Sequence, residues 1–396
     1  MKKTQPLFVL TCALLASAAW PHAVEARQFL PNAVPAAAAR LTPLGNVDPT
    51  RQIEFTIMLP LRNHDVLTQL IADLYDPASP KFHKFLSLEE FTAQFGPSAD
   101  DYRALLDFAA NNDLSVAATY PSRTVVALKG SVANIQKALH TTLRTYQHPS
   151  QNRVCFAPDT APSVDLAVPI LEIYGLDNFG TAQYHHTSRP LGGDGAKPNS
   201  GGSGPSGTFW GRDFQNVYAP GANLTGAGQI VGLFQYDGYY GIDITNYFKQ
   251  SGLTNGFPFV PLQNILLDSV SGIPGYSGVS GAVGEVSLDI EMSVAMAPGL
   301  SKVVVFEGSA IPPIQIVTAM TTNTSIKQFS SSWTWTGGPG GTGIDTLLLQ
   351  LVSQGQCYYQ ASGDSCAYTS TIDDPSSFTV PATSTNVVGS DRVACL

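Results

Sequence analysis

The stretch GEVSLDIEMSVAMAPG, residues 284–299, decides how the chain is read. Apolar Val286, Leu288, Ile290, Met292, Val294 and Met296 surround two carboxylates, and Pro298-Gly299 ends the run, so the segment is expected to be a helix. Glu285 and Asp289 stand four apart, which puts them on one helix face. Two carboxylates so placed cannot both ionise cheaply, so one should hold a proton into mildly acidic pH. That suits general acid/base work in acid. A solvated helix face has the same spacing, and the rest of the chain has to choose between the two.

With 396 residues the chain can form two domains with at least one large core. Charged residues are only 13%, while 36 glycines and 28 prolines mark a loop-rich globular chain. A net charge of -9 argues against nucleic acid as the main partner. The acidity is concentrated after Gly201, where five Lys/Arg face thirteen Asp/Glu. All seven histidines precede that point, so any chemistry in the second half works without imidazole.

Met1 to Ala26 reads as a secretory signal: Lys2 and Lys3, an apolar stretch from Leu7 to Trp20 too short to span a bilayer, then small-residue cleavage sites. An exported, secreted protein without a membrane anchor is expected. Of five cysteines, Cys12 lies in that segment. No CxxC occurs, which argues against a structural zinc site. Cys357 and Cys366 can pair across a strand and its turn, or stay as buried thiols; spacing leaves both open.

Residues 40–178 read as a compact α+β unit. Ile53–Leu59 alternates as a half-buried strand, Asp65–Leu74 has helical spacing, and a second helix opens near Ser98. Strands at Val116–Thr119 and Thr124–Leu128, a helix at Val132–His140 and a strand at Leu143–Tyr146 complete a ferredoxin-like order. SPKFHKFLSLEEFTAQFGPS (79–98), SRTVVALKGS and KALHTTLRTY resemble the activation prodomain of the sedolisin (kumamolisin-type) serine-carboxyl peptidases. Within this stretch His83 is either a pH sensor or a structural histidine. Residues 179–207 are Gly-, Ser- and Pro-rich and lose apolar periodicity, a linker where processing of a zymogen is expected.

From residue 208 to 396, strand and helix alternate, so a parallel sheet covered on both faces is expected, with its site at the carboxyl ends of the strands. YAPGANLTGAGQIVGLFQ, GEVSLDIE, AMAPG, SSSW (330–333) and ASGDS (361–365) resemble the sedolisin catalytic domain, whose fold is subtilisin-like. The resemblance implies Glu285 as general base, Asp289 as the carboxylate that orients it, and Asp364 at the oxyanion site. It implies Trp333, with Ser331, on the substrate side. Gln235 stands near a position where some members carry a glutamate, which departs from the family's extended hydrogen-bond chain. A glutamate base fits acid pH, where imidazole would be protonated. Acid would also discharge carboxylates that hold the prodomain, coupling release to the environment.

The family's nucleophile is a serine in a GTSxSxP-like motif downstream of the oxyanion aspartate. No such motif occurs in this sequence. The resemblance therefore implies a catalytic domain that is incomplete, truncated before the nucleophile, and inactive as it stands. The calcium expected for full-length members would bind in the same missing region, so no metal site is expected here. Two functions follow. One is a secreted, acid-acting serine endopeptidase zymogen acting on protein or peptide substrates, its prodomain in contact with its own catalytic domain. The other is a non-catalytic relative whose prodomain binds or inhibits a sibling peptidase. Endopeptidase and tripeptidyl-peptidase action are not distinguished by these residues.

Overall fold

The computed structural model describes residues 27–30, 33–180, 183–184, 201–309, 313–334 and 341–361. The signal-like segment, most of the linker, Asp364 and Cys366 lie outside the described residues.

The first half is built on a four-stranded antiparallel sheet. Its strands are β1 (Gln52–Met58), β2 (Ser115–Thr119), β3 (Val125–Ser131) and β6 (Glu172–Tyr174), in the order β2-β3-β1-β6. Helices α1 (His64–Tyr75), α2 (Leu88–Gln94), α3 (Ala99–Asn111) and α4 (Val132–Leu139) accompany it. Their starts are legible chemistry. Ser87 and Glu90 form a reciprocal capping box on α2. Ser98 and Ser131 each accept the backbone N–H three residues on, at the heads of α3 and α4.

One pairing differs from the expectation. Leu143–Gln147 (β4) does not join this sheet. It forms an antiparallel hairpin with Val154–Pro158 (β5), and Glu172–Tyr174 fills the fourth place. His140, left-handed at φ 46°, ends α4. Gln136 Oε1 then takes the Leu143 N–H at 2.7 Å, turning the chain before it can reach β1. His83 is exposed, its ring stacked on Phe82 with centroids 3.8 Å apart and beside Phe85.

The second half is α/β. Five strands run parallel: β8 (Ile230–Gln235), β9 (Leu262–Leu266), β10 (Lys302–Glu307), β11 (Gln328–Ser331) and β13 (Cys357–Gln360). Their order is β9-β10-β8-β11-β13. Helices α5 (Gly211–Tyr218), α6 (Gly241–Gln250), α7 (Ala282–Met296), α8 (Ile314–Thr322) and α9 (Thr342–Ser353) alternate with them. β10 is buried from Val303 through Glu307, as an interior parallel strand must be. Helix α7 buries Ala282, Val286, Ile290 and Val294, a strict four-residue repeat, whereas Leu288 faces outward at 40% exposure. Two short strands, β7 (Gln183–Tyr184) and β12 (Trp333–Thr334), pair antiparallel. Cys357 is disulfide-bonded, its partner outside the described residues, and Cys155 is a buried free thiol.

The two halves share a core. Met58, Tyr120 and Val125 of the first half lie in one apolar cluster with Ile316, Leu347 and Leu348 of the second. Backbone and side-chain bonds seal the contact. Leu86 N–H donates to Ser353 O at 2.9 Å, Tyr75 Oη to Val352 O at 3.1 Å, and Gly343 N–H to Glu172 Oε2 at 2.9 Å. Gly343 is glycine for space: an added Cβ would collide with the Tyr174 hydroxyl and come within 2.8 Å of Glu172 Oε2 and 3.0 Å of Met58 Sδ. Gly343→Ala should therefore loosen the contact by about 1–3 kcal/mol, the usual scale of overpacking. Urea denaturation of the full chain should show a lower midpoint, with protection from hydrogen exchange lost first around residues 343–348.

Candidate active site

The carboxyl ends of β8 and β11 and the middle of α7 meet. Gln235 closes β8 and is fully buried. Its amide lies between two partners. Trp333 Nε1–H donates to Gln235 Oε1 at 2.6 Å, and Gln235 Nε2–H donates to Asp289 Oδ2 at 2.7 Å. An indole N–H can only donate, so it fixes which end of the amide faces Asp289. Ser332 Oγ–H donates to the other oxygen, Asp289 Oδ1, at 2.7 Å. Both oxygens of Asp289 thus accept, one from the end of β8 and one from the residue between β11 and β12, and Ser293 Oγ–H adds a bond to the Asp289 carbonyl at 2.8 Å. Glu285, one turn earlier on the same helix, is 2% exposed.

Trp333 is fully buried, its ring edge-on to Tyr236 with centroids 5.4 Å apart. It is a wall of the Gln235 network, and its main chain, in β12, is the part that pairs outward with β7. Ser331 is also buried. Its hydroxyl receives the Trp333 N–H at 3.2 Å, while Gln360 Nε2–H holds Trp333 O at 2.8 Å. Glu285, Asp289, Ser331 and Trp333 are therefore gathered at one edge. Asp364, three residues past the last described one, lies outside the described residues.

Two groups escaped sequence reasoning. Ser332 is a direct donor to Asp289, and Gln235, expected to interrupt a hydrogen-bond chain, instead links Trp333 to Asp289. Its place at the end of a parallel strand was the available signal. The second group is a set of acids beside the site. Asp237 is fully buried and accepts from Gly238 N and Gly275 N, each at 2.7 Å, and from the Ser277 hydroxyl. Glu307, in register with Gln235 on β10, is fully buried with no hydrogen-bond partner on either oxygen. Burial, then the charge of Asp237, pushes the Glu307 carboxyl up to about 8. Among the described residues no group of three or more His, Cys, Asp or Glu is arranged to hold a metal ion.

The family model described as "Pro-kumamolisin, activation domain" matches residues 39–179. Among curated proteins, Kumamolisin of Bacillus sp. (strain MN-32) is 23% identical over 350 residues, 86% of this chain and 62% of that protein. Sedolisin of Pseudomonas sp. (strain 101) is 26% identical over 354 residues, 84% of this chain and 58% of that protein. The chain thus spans only part of the length of the relatives it matches. A solved structure of Pseudomonas sedolisin, complexed with two molecules of pseudo-iodotyrostatin, covers 48% of this chain and 54% of that one. Its identity is 19% and its TM-score 0.38, too loose an overlap to fix a fold.

Gln235→Leu should cost about 2–4 kcal/mol, because it strands a buried indole N–H and an Asp289 oxygen together. Guanidinium denaturation checks it. Glu307 predicts a pH effect. Its folded pKa is raised, so its contribution is complete below the ordinary 4.5 and is lost as pH rises through about 8. Glu307→Gln should remove that loss, giving a variant more stable than the parent at pH 9 and similar at pH 5.

Proposed function

This chain belongs to the sedolisin family of serine-carboxyl peptidases and carries its activation domain, and we propose that it is the precursor form of a secreted, acid-acting serine endopeptidase. The observation that carries this reading is the pairing of β7 with β12. Gln183–Tyr184, just past the activation domain, lies antiparallel along Trp333–Thr334, at the edge where Ser332 and Gln235 hold Asp289. A peptide bound through its main chain on a strand edge is how an extended substrate is received. A short linker strand paired there supports an autoinhibited precursor with its cleavage site between residues 179 and 207.

In this reading Glu285 accepts the proton of the serine nucleophile, and Asp289 orients it. The bonds from Gln235 and Ser332 keep Asp289 from turning away. A carboxylate base ionises in the acid range, where imidazole could not serve, consistent with a second half that has no histidine. Asp364, protonated, would donate to the developing oxyanion. Ser331 and Trp333 shape the strand that receives the peptide, through their backbone more than the buried indole. No GTSxSxP-like motif occurs in these 396 residues, so turnover is not assigned to this chain by itself. The signal-like first 26 residues and the Cys357 disulfide support export. Calcium would bind beyond the described site.

The test uses the product of the gene with its downstream coding sequence. Mass spectrometry after incubation at pH 4 and pH 7 should show self-cleavage between residues 179 and 207 at the lower pH. Glu285→Gln should slow it by about 10²–10⁴-fold, the usual loss of a general base. Equal cleavage by the variant, or none in the linker, would overturn the reading.

A further inference from the structure

Two residues past Gln235, the chain that leaves β8 sets Asp237, fully buried, against the 271–281 loop. That loop, SGIPGYSGVSG, runs straight into α7 and has glycine at every third position from 272 to 281. All four glycines are left-handed, at φ 67°, 89°, 69° and 87°, so the loop is a run of tight turns that glycine makes at least cost. It belongs to no strand or helix, and its backbone donors must be met from outside. Asp237 Oδ1 accepts the Gly275 N–H and the Gly238 N–H, each at 2.7 Å, and Oδ2 accepts from the Ser277 hydroxyl. Gly238 lets the two segments touch: a Cβ there would lie 2.5 Å from the Gly272 carbonyl oxygen.

The bonds continue to the helix. Ser277 Oγ accepts the Val279 N–H at 3.1 Å, and Val279 O accepts the N–H of Ala282, the first residue of α7, at 3.1 Å. The N-cap, Gly281, has no side chain to close the helix start, and its carbonyl takes the Glu285 N–H at 3.2 Å. β8 and its continuation therefore reach α7 at two places. Gln235 holds Asp289 in the middle of the helix, and Asp237 holds the turn from which the helix starts. Glu285 lies between them. Burial of Ala282, Val286 and Ile290 presses α7 onto the sheet, but apolar packing is non-directional, and the directional ties are these hydrogen bonds.

We infer that Asp237 is a positioning residue for Glu285: by tying the 271–281 loop to the end of β8, it sets the start of α7 and with it the general base. The inference rests on the reading of Glu285 as that base. Leverage gives the scale. Glu285 is one turn, about 6 Å, from the grip on Asp289. A tilt of about 10° around that point carries Glu285 by about 1 Å, and a misplacement of about 1 Å can cost about 10²-fold in rate. The hydrogen bonds of Asp237 go to none of the reacting groups, so it acts through the helix alone. Without its carboxyl, the Gly275 N–H and the Ser277 hydroxyl lose their acceptor. The loop is half-exposed, so water can meet those donors, and what is lost is the place of the loop and not the core beneath it.

Hydrogen exchange and turnover together test it. In the 396-residue chain, Asp237→Ala should speed exchange of the Ala282 and Glu285 amides, which bond Val279 O and Gly281 O, by about 10- to 100-fold, and leave the β10 amides unchanged. Asp237→Asn keeps an acceptor for the Gly275 N–H and should restore most of the protection. In the product of the gene with its downstream coding sequence, kcat on a peptide substrate should fall by about 10²-fold in Asp237→Ala, with KM within about twofold of the parent. Asp237→Asn should recover most of that loss. Ser277→Ala removes one tie, should give a smaller change of the same local kind, and serves if Asp237→Ala fails to fold. Equal loss of protection throughout the second half, or faster exchange at the start of α7 with kcat unchanged, overturns the proposal. A parent without turnover, but with the expected exchange pattern, would sink the peptidase reading and leave the anchoring of α7 by Asp237 standing.

Discussion

The primary amide of Gln235 is the constraint on which the site depends. It is buried where neither end can turn to water, so both must be matched. The indole of Trp333 can only donate, and this sets the amide oxygen toward it and the NH₂ toward Asp289. One side chain thereby fixes the strand that carries Trp333, the strand that ends at Gln235, and the helix that carries Glu285 and Asp289. A glutamate there could meet the indole equally well but could meet a second carboxylate only by keeping a proton. The glutamine makes the linkage without a proton to lose.

The same edge of the sheet shows how environment assigns different parts to similar carboxyls. Asp289 receives two side-chain donors and sits half-buried. Asp237 is fully buried and receives two backbone N–H groups and a hydroxyl. Glu307, one strand over, receives none and is displaced toward its neutral form. A carboxyl supplied with donors is held as an acceptor; one left without them holds its proton. The acidic second half is thus not a uniform negative surface, and several of its charges are interior groups whose state follows from local donors.

What could be read from the chain was what local pattern encodes. The helix around Glu285 and Asp289, the helix opening near Ser98 and the helix at Val132–His140 depend on near neighbours, and each formed close to where the pattern placed it. The parallel sheet followed from the alternation of such elements. Pairing was harder. Leu143–Gln147 is a strand as its residues suggest, but its partner is decided by a left-handed turn at His140 and a glutamine that catches Leu143 N–H. The roles of Gln235 and Ser332 depend on contacts 54 and 43 residues away. Glu307 is an ordinary strand-end acid until tertiary packing removes its water. Burial and long-range donors are properties of the fold, and residue spacing does not contain them.

The two places where the first half touches the second obey different chemistry, and this shapes how a precursor of this kind could be opened. At β7 and β12 the contact is main chain to main chain along two residues, indifferent to pH and ended by cutting the chain. At α8 and α9 it is apolar packing around Met58, Tyr120 and Val125, with Gln315 bonded to Tyr120 and Glu54, and no peptide bond passes through it. Cutting the linker frees the strand edge beside Asp289 but removes nothing from the second contact. A cut activation domain would therefore stay in place for as long as that apolar packing holds. The edge next to the site can be vacated before the domain departs, because the groups holding that domain lie on helices whose far ends carry none of the acid–base pair.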